Sequence, residues 1–143
     1  MTSALRFTLR CVPPTANHQR KRIVKVGTFH RLADKPELVA AKQMLDALLL
    51  PHQPARPITG PVALDVTYVW PWLKGHSKKV RALGQVPMTS RPDASNAIKT
   101  LEDRLVALRF IEDDRAVVDL RVRKWWAETP GIIVAIRPFQ EGA

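Results

Sequence analysis

Between Pro61 and Pro138 the spacing of apolar residues changes period twice, and that pattern limits the folds open to the chain. "VALDVTYVW" is β-branched and alternates along its length, which predicts a strand near the centre of a sheet, ended by Pro71. From Ser95 the period lengthens. Ile98, Leu101, Leu105 and Leu108 recur three and four residues apart, the single apolar stripe of an amphipathic helix. "RAVVDLRVRKWW" and "GIIVAIRP" return to strand composition, and the Pro130-Gly131 turn signal between them predicts a hairpin. A strand, a helix and two further strands in this order call for a sheet with helices laid against it.

The upstream half completes the pattern. Leu5, Phe7 and Leu9 alternate with Arg6, Thr8 and Arg10, a half-buried strand closed by Pro13 and Pro14. "RIVKVGTF", residues 22–29, reads as a second strand with Gly27 inside it. Pro36 suits the first turn of a helix carrying Leu38, Val39, Met44, Leu45, Leu48 and Leu49, and Pro51 stops it. Residues 72–92 form a basic stretch too long for an ordinary connection, and therefore a mobile or functional loop. The expected order is ββαβαββ: an α/β (α+β) fold, one domain over residues 1–143, with a mixed β-sheet and two main helices. A chain of 143 residues fits one domain that buries roughly two-thirds of its unfolded surface.

Charge narrows the function. A formal net charge of +10 creates a field that attracts polyanions, nucleic acid before acidic membrane. The positive residues are interleaved with apolar ones at 20–25, 74–81 and 115–124, so they belong to folded elements rather than to a solvated tail. No apolar run approaches the roughly 18 to 20 residues needed to cross a bilayer, so no membrane partner is expected. Cys11 is the only cysteine and the start lacks a signal-peptide pattern, which fits a reducing cytoplasm. His18, His30, His52 and His76 have no zinc-like spacing.

In this basic chain, "RPDASNAIKTLEDRLVALRFIEDD" places acids at both ends of one helix. Asp93 stands before its first turn, and Glu112, Asp113 and Asp114 follow its end. Asn96, Lys99 and Asp103 lie about one turn apart, opposite the apolar stripe. Carboxylates beside DNA-attracting charge make chemical sense if they hold a hard divalent cation such as Mg²⁺, because without metal they repel the phosphates. Local structure offers another account of the same residues. Asp93 or Ser95 can cap the helix, and Lys99 with Asp103 can be an exposed ion pair contributing about 0.2–0.5 kcal/mol.

Residues 91–124, "RPDASNAIKTLEDRLVALRFIEDDRAVVDLRVRK", resemble the signature region of the RusA family of Holliday junction resolvases. That signature runs Asp, a second Asp two positions on followed by Asn, Lys a turn later, Asp in mid-helix, then paired Asp-Asp before a Val-containing strand. Asp93, Asn96, Lys99, Asp103, Asp113 and Asp114 match it, with Val117 and Val118 following. "VPPTANHQ", with Asn17, is a fainter echo of the family's proline-proline turn. The resemblance implies a RusA-like fold and a homodimeric crossover junction endodeoxyribonuclease that acts on branched, four-way DNA in recombination and repair. It implies Mg²⁺, with Mn²⁺ as the alternative, and Asp93, Lys99 and Asp114 as catalytic residues. Asp93, Asp114, Asp113 and Ser95 are then candidate metal ligands, and Asn17, Arg91, Asn96, Lys78 and Lys79 candidate DNA contacts. Ser95 departs from the pattern, standing where the family has its second Asp, and a neutral hydroxyl is a poor Mg²⁺ ligand. The alternative is therefore a weakened or inactive protein that binds junctions or structured DNA. An RNA-binding reading would use Trp70, Trp72, Trp125 and Trp126 as stacking platforms, although tryptophans in strands are more often core.

Overall fold

The alternating segment after Pro61 becomes the central strand, because its β-branched and aromatic side chains have neighbours on both edges. The computed structural model describes residues 4–16, 21–26 and 29–140. Its strands are β1 (Leu5–Leu9), β2 (Lys21–Val26), β3 (Phe29–Asp34), β4 (Val62–Pro71), β5 (Gln85–Pro87), β6 (Val117–Ala127) and β7 (Gly131–Pro138). The helices are α1 (Pro36–Leu49), α2 (Lys78–Arg81) and α3 (Ala94–Ala107). Five strands form one sheet in the order β1-β7-β4-β6-β5, while β2 and β3 pair in a separate two-stranded sheet. The larger sheet is mixed: β6 runs parallel to β4, and its other pairings are antiparallel. This is the expected α+β class.

Alternation decides which face of the sheet is covered. Val62, Leu64, Val66, Tyr68 and Trp70 of β4 are all buried, whereas Asp65, Thr67 and Val69 between them are only partly covered. The buried set joins Leu45 and Leu49 of α1 and Ile98, Leu101 and Leu105 of α3 in one core cluster, so both long helices pack on the same face. A guanidinium fork ties the helices together, with Arg104 Nε donating to Asp46 Oδ1 at 2.7 Å and its second terminal nitrogen to Oδ2 at 3.0 Å. Two parallel charge-assisted bonds fix direction as well as distance.

Three expectations are corrected. β6 and β7 do not form a hairpin, because β4 lies between them and pairs with both. The Pro130-Gly131 signal has another cause: a Cβ on Gly131 would sit 3.2 Å from the Leu9 carbonyl oxygen, so glycine lets β7 begin tight against β1. The strand expected over 22–29 is two strands, β2 and β3, whose facing ends Val26 and Phe29 have only Gly27 and Thr28 between them in sequence. The 72–92 stretch, expected as one mobile or functional loop without regular elements in the order ββαβαββ, holds α2 and the edge strand β5. Four- and three-residue elements are too short to show a hydrophobic period.

Candidate active site

The N-terminal end of α3 is fixed by three tethers. Met88 N–H donates to the Lys124 carbonyl of β6 at 3.1 Å, and Lys124 Nζ donates to the carbonyls of Ser90 and Pro92. Tyr68, buried on β4, donates its hydroxyl to the Ala97 carbonyl at 3.0 Å. Between these ties Asp93 caps the helix, its Oδ1 accepting from Asn96 N–H at 2.9 Å. Of the two capping candidates Asp93 is therefore the one used, and Ser95 is exposed in the first turn. A cap uses one carboxylate oxygen, which leaves the other chemically competent as a ligand.

The C-terminal end is held in a different way. Phe110 N–H reaches back to the Leu105 carbonyl at 2.8 Å and Arg109 N–H to that of Val106 at 3.1 Å, a Schellman arrangement. Its left-handed residue is Arg109, with φ 62°, where glycine is usual. Burial of Phe110 and Ile111, and the bond from Ile58 N–H to the Phe110 carbonyl at 2.9 Å, anchor the strained turn to the core. Past that anchor Asp113 caps a short 3₁₀ turn over Asp114–Ala116, its Oδ1 accepting from Arg115 N–H at 2.9 Å. The Arg115 guanidinium closes on both Asp113 oxygens, at 3.3 Å and 3.2 Å.

The reversal brings the second acidic group back against the helix. Lys99, Glu102, Asp103 and Val106 of α3, together with Asp113 and Asp114, line a cleft of about 260 Å³. Glu102 is the residue that sequence reasoning missed. It lies three residues after Lys99 and seven after Ser95, so the helical period puts it on the same stripe, next in sequence to Asp103 of the family signature. The Glu102 carboxyl is shifted above the ordinary range by burial first and by the charge of Asp114 second, with Lys99 opposing. Burial and then Glu102 itself push the Tyr68 phenol upward. Asp113 is held at about 2, chiefly by the Arg115 N–H and then by the Arg115 guanidinium, with a smaller contribution from Asp114. Asp103 turns partly away, lying 3.6 Å from Lys42 and 3.2 Å from Arg104.

The family model described as "Endodeoxyribonuclease RusA" matches residues 12–137. The chain belongs to the RusA family. It is also 34% identical over 129 residues to "Uncharacterized protein YqaN" of Bacillus subtilis (strain 168), an alignment covering 87% of this chain and 89% of that one.

Within this RusA-family region the candidate residues fall into separate groups. Lys99, Asp113 and Asp114 share the cleft. Asp93, Ser95 and Asn96 stand at the N-terminal end of the same helix, one or more turns away. Arg91 is exposed just before them, and Lys78 and Lys79 are exposed on α2. Asn17 lies outside the described residues. Trp70 is buried, its indole N–H donating to the Pro13 carbonyl at 3.0 Å, so it offers no stacking platform. Among the described residues no three His, Cys, Asp or Glu side chains form a group able to hold a metal ion on their own. The donor chemistry still suits Mg²⁺, which commonly takes one or two protein carboxylates and completes its shell with water and phosphate. Asp114 and Glu102, which line the same cleft, are carboxylates of that kind. No described helix is long and apolar enough to cross a membrane.

Proposed function

We propose that this chain is a divalent-metal-dependent endonuclease that resolves four-way DNA junctions, acting as a homodimer in the cytoplasm. The observation that carries the reading is an acidic cleft on a chain of net charge +10, formed where the RusA match runs through α3 and the Asp113-Asp114 turn. Asp114, beside Glu102 in the cleft, would hold the cation, Mg²⁺ or Mn²⁺, and Asp93, at the N-terminal end of the same helix, would be its second ligand through the oxygen that the cap leaves free. When bound, the metal supplies Lewis-acid polarisation of the scissile phosphate and activation of the attacking water. Lys99 faces the phosphate and offsets the negative charge that develops on it. Asp113, with both oxygens engaged by Arg115, acts as a positioning residue that orients Asp114 rather than as a ligand. Ser95 contributes a neutral hydroxyl to the metal side of the site. Arg91, Asn96, Lys78, Lys79 and Asn17 contact DNA.

The dimer is assigned to the face of the sheet opposite the helices. There Ala63, Asp65, Asp119, Arg121, Ala135 and Arg137 line a shallow hollow of about 650 Å³. Paired charges in and beside it, Arg123 with Asp65 at 3.2 Å and Arg137 with Asp119 at 4.0 Å, can exchange partners across a two-fold axis. Light scattering at micromolar concentration should give twice the chain mass; a monomer mass removes the dimer from the reading.

A labelled four-way junction incubated with and without Mg²⁺ tests the activity, and paired nicks in opposed strands are expected only with metal. Ser95 supports a second reading, in which the chain binds junctions without cutting them because one metal-side carboxylate is absent. Tight junction binding with no nicking at saturating Mg²⁺ or Mn²⁺ would favour it.

A further inference from the structure

Residues 73–84 form an arm whose shape the acidic cleft does not explain. Between Val66 and Pro92 there is no acidic residue, while Lys74, Lys78, Lys79 and Arg81 are all exposed. The arm is framed rather than loose. His76 sits between two tryptophans, its ring centroid 5.1 Å from that of Trp72 and 5.2 Å from that of Trp126 on β6. Its Nδ1 accepts from Leu73 N–H at 2.8 Å, and the Arg81 side chain donates to the carbonyls of His76 and Leu73, both at 3.0 Å. Ser77 caps α2 through Val80 N–H at 3.2 Å. At the far end Leu83 N–H closes on the Val80 carbonyl at 3.0 Å, and Gly84, with φ 87°, turns the chain into β5.

This frame presents Leu83 to solvent with 70% of its surface exposed. A single exposed leucine is ordinary. One held by a backbone hydrogen bond at the C-terminal end of a segment that carries four cations and no acid, with Leu73, 54% exposed, at the segment's other end, has the make-up of an apolar wedge. DNA-bending proteins insert such side chains between base steps while Lys and Arg hold the flanking phosphates. Position agrees. Val86 of β5 pairs with Trp126, and Lys124 holds the segment leading to Asp93, so β5, which follows the arm, and the lead-in to α3 are anchored two residues apart on β6, about 7 Å.

We infer that Leu83 is a wedge that enters the base stack of branched DNA beside the scissile phosphate, with Lys78, Lys79 and Arg81 clamping the backbone around it. The inference rests on the resolvase reading and adds to it a mode of recognition. At a branch point stacking is already interrupted, so insertion there meets less resistance than in continuous duplex. Preference for branched over linear DNA follows.

The test uses a four-way junction with 2-aminopurine at the branch point, without divalent metal so that no strand is cut. The natural protein should raise the fluorescence as the reporter base unstacks. Leu83→Ala, a change at an exposed position that should not move the unfolding midpoint, should lose most of that rise even at saturation. Its junction affinity should fall roughly tenfold while its affinity for linear duplex stays within about twofold. The double variant Lys78→Ala with Lys79→Ala should bind both DNAs more weakly, with the slope of log affinity against log salt reduced by about 2, yet keep the full rise at saturation. An undiminished rise with Leu83→Ala, or an equal loss of affinity for junction and duplex, overturns the wedge. If the natural protein cleaves junctions with metal but gives no rise, the wedge fails and the resolvase reading stands. If it binds neither DNA, both fail together.

Discussion

The two ends of α3 solve the same problem by opposite means. At the N-terminal end Asp93 is the residue type a helix start prefers, and its capping bond at 2.9 Å serves the fold whether or not a metal is bound. At the C-terminal end Arg109 occupies a left-handed conformation that disfavours it, and buried Phe110 and Ile111 hold the turn in place. The result of that strain is the return of Asp114 to Glu102 and Lys99. A carboxylate that also caps is explained by local structure alone. A carboxylate delivered through a strained turn into the field of another carboxylate is not, and for that reason the C-terminal end carries more of the functional argument.

The widest separation should come from activity. Asp114→Asn is expected to lower metal-dependent junction cleavage by more than about a hundredfold, because a charged ligand is lost from the reaction centre. Junction binding should hold or tighten as negative charge near DNA disappears, and loss of binding by a folded variant would make Asp114 structural. A smaller change is expected at the other end. Ser95→Asp should lower the Mg²⁺ concentration for half-maximal cleavage by roughly tenfold, the effect of one added unit charge at close range in a partly screened site. Since Asp93 already caps the helix, capping cannot imitate this result. An unmoved Mg²⁺ requirement removes Ser95 from the metal site.

Two stability measurements sharpen the comparison further. Asp93→Ala should cost about 1 kcal/mol through loss of the cap, whereas Asp93→Asn, an equally good cap, should cost a few tenths at most and still abolish cleavage. Equal destabilisation by the two would mean that the charge of Asp93, rather than its capping bond, supports the fold. Arg109→Gly should stabilise by about 0.5–1 kcal/mol, as relief of left-handed strain outweighs the extra freedom of glycine in the unfolded chain. Chemical unfolding checks both, and a destabilised Arg109→Gly would show that the arginine side chain, not the backbone, holds the turn.

Much of this architecture was legible in the sequence, and the failures share a cause. Periodicity found β4 and its central place, the amphipathic α1 and α3, and the acids at both ends of α3, because burial on one face writes itself into spacing. It could not tell which strands pair. β6 and β7 looked like neighbours because they are consecutive, yet β4 takes the position between them. Gly131 looked like a turn glycine because the close Leu9 carbonyl that requires it is distant in sequence. Glu102 shares the helical stripe of Lys99, but a glutamate on such a stripe reads as solvation until the Asp113-Asp114 turn folds over it. The family signature supplied Asp93, Lys99, Asp113 and Asp114, whereas the grouping of Asp114 with Glu102 needed the structure.

The central claim is that carboxylates gathered at α3 hold a divalent cation beside Lys99. Its most direct measurement needs neither DNA nor turnover: titration of the folded protein with Mn²⁺, following free ion by electron paramagnetic resonance, for the natural chain, Asp114→Asn and Glu102→Gln. The account predicts one ion per chain in the natural protein, no saturable binding in Asp114→Asn, and weaker binding in Glu102→Gln. Undiminished Mn²⁺ binding in both variants would contradict it, since the ion would then be held away from the cleft that Asp113, Asp114 and α3 enclose.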